Sequence, residues 1–123
     1  MYEKKWGREK WICNTNLYCG KILYLDKDRR CSYHYHAIKD ETFYLLKGHV
    51  FMVVDGKFLQ LRDGDSIRIR PHSIHSFTGI EDSEILEVST QHMEEDSYRK
   101  STSGEAWTLE EWNEFIKDQT NSQ

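Results

Sequence analysis

Histidines in the pattern His-x-His supply the first chemistry in this chain. His34 and His36 stand two apart in SYHYH. On a strand their imidazoles project from one face and can converge on a single ion. Glu41 follows after AIKD and opens ETFYLL, so a short turn would return its carboxylate beside the two rings. His75 comes just after the single proline, Pro71, in RPHSIHSF. Three imidazoles and one carboxylate make a nitrogen-rich site for a divalent metal, with positions left open for substrate or water. Donors of nitrogen and oxygen without sulfur permit iron, manganese, nickel or zinc. Six histidines in the chain also admit a plainer reading as surface or satisfied core residues.

The elements that must position these groups read as strands. Apolar or alternating runs at 20–25, 41–47, 49–54, 57–61, 66–70, 75–78 and 84–89 are separated by short turn signals. Asp55-Gly56 between VV and KFLQL is a strong hairpin signal, because a tight turn of that kind needs positive φ at both central positions. Many short strands without alternating helices predict an all-β domain, a sandwich or a small barrel. The tail differs. Thr108 and Glu111 form a capping box, and Leu109, Trp112, Phe115 and Ile116 make one helical stripe. The reading therefore divides the chain into a barrel with an amino-terminal extension strand over 1–106 and a helix packed on it over 107–118. Residues 91–106 read as polar and irregular, and the terminal TNSQ as frayed.

A length of 123 residues suits one domain, and 16 aromatic residues compensate for a modest 37% apolar content. A formal charge of −4 argues against a phosphate-backbone partner such as nucleic acid. Three cysteines in no metal-knuckle spacing imply reduced thiols, with Cys31 a small buried hydrophobe. No apolar run has signal-peptide or membrane-spanning length, so a cytoplasmic protein without membrane contact is expected.

The ordered set His34, His36, Glu41, Gly48, then Gly64, Pro71 and His75 resembles both sequence signatures of the cupin superfamily. HYHAIKDETFYLLKG departs from the first only in that Arg29 lies near the place of a leading glycine. GDSIRIRPHSIH departs from the second by an extra residue before Pro71 and by Ser73 in place of a glycine. The resemblance implies a double-stranded β-helix, or jelly-roll barrel, in which His34, His36, Glu41 and His75 hold one divalent metal. Over roughly residues 5–99 the chain also resembles the cupin domain of type II phosphomannose isomerases and related small sugar isomerases. That likeness rests on Lys5-Trp6-Gly7, Lys21, Glu87-Val88, and Asp96 with Arg99.

This second likeness implies a metal-dependent aldose–ketose isomerase, with manganese the first choice of metal and zinc, nickel or iron as alternatives. The substrate would be a mannose-, lyxose- or fructose-type sugar or its phosphate, and a homodimer is expected. Such chemistry needs a base for the proton α to a carbonyl. Glu87 is the first candidate, then Lys21 or His49, with Arg99 and His49 placed toward the substrate. Strand phase in EILEVST leaves open which of Leu86 and Val88 or Ile85 and Glu87 face the interior. Lys21 also reads as an ordinary exposed strand residue, and Arg68 and Arg70 as solvent-facing. Tyr24, Tyr44, Phe43, Phe51 and Phe77 read as core or interface aromatics. A cupin oxygenase holding iron, or a sugar-binding cupin without turnover, are the competing functions.

Overall fold

A computed structural model describes residues 1–121. In chain order the strands are β1 (Tyr2–Lys4), β2 (Gly7–Asn14), β3 (Cys19–Leu25), β4 (Arg29–Arg30), β5 (His34–Tyr35), β6 (Glu41–Lys47) and β7 (His49–Val54). They continue as β8 (Lys57–Arg62), β9 (Ser66–Ile69), β10 (His75–Gly79), β11 (Ser83–Ser89), β12 (Tyr98–Arg99) and β13 (Gly104–Glu105), followed by helix α1 (Leu109–Asn121). One sheet runs β1-β2-β3-β11-β6-β9; in the other, β10 pairs with β4, β5 and β7, and β8, β12 and β13 extend it. The named pairings are antiparallel, as sequential hairpins require.

The seven strands read from the sequence all form, and Asp55-Gly56 makes the β7–β8 turn with positive φ at both residues. The amino-terminal segment adds to its own sheet, β2 pairing with β3. Residues 91–106 are more ordered than their polar composition implies, holding a short 3-10 turn at Glu94–Asp96 and strands β12 and β13. Helix α1 begins on the expected capping box: Glu111 N–H donates to Thr108 Oγ1 (3.1 Å), and Thr108 N–H to Glu111 Oε1 (2.9 Å). Trp112, Phe115 and Ile116 pack against Tyr33 and Val53 outside the sheets. Leu109, expected in that stripe, is exposed instead and borders a groove with Phe51, Phe58 and Trp107. The helix continues through Thr120 and Asn121, part of the tail expected to fray; Ser122 and Gln123 lie outside the described residues.

Strand alternation builds a barrel interior with two unlike ends. Leu23 and Leu25 of β3, Phe43 and Leu45 of β6, and Ile85 of β11 fill one end with apolar volume. The same inward phase carries Lys21, Glu41 and Glu87 to the other end, where they are also buried. Phe43 and Phe77 are core as expected, but Tyr44 is exposed and Tyr24 lies half-buried under Arg8 on the outer face, since they occupy the opposite phase. Gly48, the signature glycine between β6 and β7, has φ of +123°, and a Cβ there would stand 2.8 Å from the Ser83 Cα. Only glycine fits that turn.

Candidate metal centre

Ladder register brings the histidines together. His75 of β10 sits directly opposite His34 of β5, and their ring centroids are 4.4 Å apart. His36 follows two residues after His34, its ring 5.9 Å from that of His75. Ring nitrogens of all three lie within 4.8 Å of one another, a cluster that could hold a metal ion. Glu41 at the start of β6 places Oε1 3.0 Å from His75 Nε2 and 3.8 Å from His36 Nε2.

Each imidazole is oriented from behind. His34 Nδ1–H donates to Ser32 O at 2.7 Å, His36 to Asp96 O at 2.7 Å, and His75 to Ser73 O at 3.0 Å. This arrangement fixes the tautomer and leaves every Nε2 with a free lone pair, the form a metal takes. Burial, reinforced by His75, drops the His34 pKa to about 3, and burial also lowers His36. Both rings are therefore neutral near pH 7. Burial works against ionisation of Glu41, but His75, Lys39 and His36 hold its carboxyl well below the usual range. Glu41 Oε1 and His75 Nε2 are buried without any hydrogen bond among the described residues, while Glu41 Oε2 is met by the Lys39 ammonium at 3.1 Å. Buried acceptors of this kind need a partner. A divalent cation fits them: three imidazoles cluster, the Glu41 carboxylate lies against two of them, and sulfur takes no part.

Two buried groups complete the wall. Glu87 of β11 faces inward with Ile85, which settles the strand phase, and burial together with Glu41 raises its carboxyl above the ordinary carboxylate range. Lys39, which sequence reasoning missed, places Nζ 2.8 Å from Glu87 Oε2 and 3.1 Å from Glu41 Oε2. It also donates to His92 Nδ1 at 3.3 Å. Lys39 lies in the AIKD connection, where no periodicity announces burial; a cation between two motif ligands was its only signal. Asp96 is buried, and its carboxylate accepts the backbone N–H groups of Ala37, Ile38 and Lys39 at 2.9–3.2 Å. It thus holds the loop that carries His36 and Lys39.

The remaining candidates divide. Lys21 is buried and faces the same cavity of about 420 Å³, contrary to its reading as an exposed strand residue. Arg99, exposed on β12, lines the mouth of that cavity. His49 does not reach it: on β7 it pairs with Gln60 Oε1 at 2.5 Å in a separate apolar groove, so neither a proton-transfer nor a substrate role at this site follows. Arg68 is exposed and pairs with Asp40, as its alternation with Ile67 and Ile69 predicts. Cys13, Cys19 and Cys31 are free, and burial pushes the Cys31 thiol up to about 12, the behaviour of a small inert hydrophobe. Among the described residues no helix is long and apolar enough to cross a membrane.

Comparison with known proteins gives the frame. The family described as Cupin domain matches residues 22–89. Quercetin 2,3-dioxygenase of Bacillus subtilis (strain 168) is 41% identical over 44 residues, which are 36% of this chain and only 13% of that enzyme. KdgF from Halomonas sp. superposes with a TM-score of 0.67 at 19% identity, over 72% of this chain and 81% of that one. A Streptomyces protein, PAC13, solved with uridine, gives 0.73 at 12% identity over 82% and 83% of the two chains. At such low identity the structural likenesses show the fold alone.

Proposed function

The chain belongs to the cupin family, and from that premise we propose that it is a metal-dependent aldose–ketose isomerase acting on a small sugar or sugar phosphate. The observation that carries this reading is the character of the cavity wall beside the three imidazoles. Lys39, Glu87, Lys21 and Ser32 are buried in it, and Ser101 and Ser103 join them beside the apolar Trp6, Leu23, Phe43 and Phe77. A pocket for a flat apolar substrate would be lined by aliphatic and aromatic groups; charges and hydroxyls suit a hydroxylated one.

His34, His36, Glu41 and His75 would hold one divalent ion, manganese by preference. That ion supplies Lewis acidity toward a carbonyl oxygen and its neighbouring hydroxyl. Glu87 is the base. Its carboxylate takes the proton from the carbon next to the carbonyl and returns it to the adjacent carbon, while the hydroxyl proton passes from its own oxygen to the former carbonyl oxygen, so both protons are accounted for without another donor. A pKa raised by burial suits a group that must both accept and release that proton. Lys39 fixes the carboxylate's orientation through its 2.8 Å contact, and Arg99, in the cavity lining, would meet the far end of the substrate.

The test is isomerisation of mannose, lyxose, fructose and their phosphates by the manganese-loaded protein. Glu87→Gln, nearly isosteric, should cut kcat by about 10²–10⁴-fold with metal content unchanged. If the wild type turns over none of these sugars while binding metal, the isomerase reading fails. A second reading, a cupin oxygenase, is favoured by the 44-residue match to the Bacillus dioxygenase, since the same ligands would hold iron. Oxygen uptake by the iron-loaded protein with a small enediol or flavonol would support it.

A further inference from the structure

Lys21 is the one buried cation of the cavity wall that no hydrogen bond holds among the described residues. It points inward from β3, with Trp11 and Glu87 as ladder partners on either side. With Glu87 it forms no ion pair. Its contact with Glu9 Oε1 spans 3.8 Å, beyond hydrogen-bond reach, and its remaining partner is the face of Trp11, 4.4 Å from the ring centroid. The same Glu9 oxygen is already taken by Trp11 Nε1–H at 2.7 Å and shared with Lys4 at 3.9 Å. A side chain 97% buried therefore turns its ammonium donors toward the cavity with no acceptor of their own among the described side chains. An acceptor that enters the cavity would complete them.

Charge points the same way. The buried ionisable side chains of the wall, Glu9, Glu41 and Glu87 against Lys21 and Lys39, carry one more negative than positive charge. A divalent ion on the histidines turns that into one excess positive charge. Arg99 at the mouth adds to it. We propose that Lys21 is an anion anchor, and that the ligand of this cavity carries an anionic group, a carboxylate or a phosphate, which binds the Lys21 ammonium when the metal site is filled. This inference deepens the sugar reading above and rests on it only for the polyhydroxylated part of the ligand. It removes Lys21 from the candidates for proton transfer and makes it a specificity-determining residue.

The experiment is calorimetric titration of the zinc-loaded protein with glucose, glucuronate and glucose 6-phosphate, three ligands that differ only at one end. One of the two anions should bind about 10–100-fold more tightly than glucose, the range expected for a hydrogen bond to a charged group. Which anion does so separates the two sources of charge. Lys21→Met keeps the stem on Trp11 and removes the charge; it should abolish the anion's advantage over glucose while metal content stays unchanged. Equal binding of all three ligands by the wild type overturns the proposal, as does an anion preference that survives in Lys21→Met. Should that variant fail to fold, NMR of the wild type decides. The Lys21 side-chain resonances must shift on adding the anion and not on adding glucose, and an unmoved Lys21 sinks the idea. The readout is binding, so anion preference without sugar turnover would remove the isomerase reading and leave the anchor standing.

Discussion

Asp96 holds His36 twice over: its carbonyl accepts the ring Nδ1–H at 2.7 Å, and its carboxylate caps the backbone N–H groups of Ala37, Ile38 and Lys39 just beyond. The residue comes from a segment sixty positions later, so a distant turn sets the aim of a metal ligand. Behind a metal site, partners of this kind govern ligand orientation as much as the ligands govern the ion.

Asp96→Ala removes the carboxylate and frees the loop. We expect metal affinity to fall by about 10–100-fold and stability to drop by about 1.5–3 kcal/mol. Metal titration and urea denaturation read the two effects. Wild-type metal affinity in this variant would show that the loop holds itself.

His36→Ala should abolish stoichiometric metal binding and leave the fold intact, since the apolar end of the barrel packs independently of the ion. Elemental analysis and circular dichroism check it. An unfolded variant would make the metal structural.

Lys39→Met leaves Glu41 and Glu87 buried beside each other with no cation between them. Breaking a buried charge network in this way costs about 3–5 kcal/mol. The metal-free variant should therefore unfold at clearly lower denaturant concentration, and saturating divalent metal should restore part of the loss. Unchanged stability without metal would mean that the two carboxyls share a proton instead.

Acid should destabilise the metal-free protein. His34, with its pKa held at about 3 by burial, stays neutral in the fold, whereas the unfolded chain takes a proton near pH 6.5. Its contribution is present above that unfolded value and is lost as pH falls from about 6.5 toward 3. His36 is lowered too and works in the same direction. Glu41, held low, adds a further loss below the ordinary glutamate range. Glu87 has the opposite sign, because its raised pKa lets the folded state take a proton first and so offsets part of the loss. Denaturation between pH 7 and 4 measures the sum. A midpoint that rises steadily as the pH falls would contradict it.

The sequence by itself determined the strands, the β7–β8 turn, the capped helix and the order of His34, His36, Glu41 and His75, because alternation, glycine and proline placement and capping act over a few residues. Tertiary structure alone decided the rest. The inward phase of Glu87 depends on which sheet face is covered, and the burial of Lys21 depends on its lying at the charged end of an interior whose other end is leucine and isoleucine. Lys39 and Asp96 acquire their roles only when the Glu94–Asp96 turn packs against the loop after β5, a contact between segments that share no local pattern. His49 went the other way: a histidine in a strand reads the same whether it faces the cavity or an outer groove, and only the folded sheet separates the two.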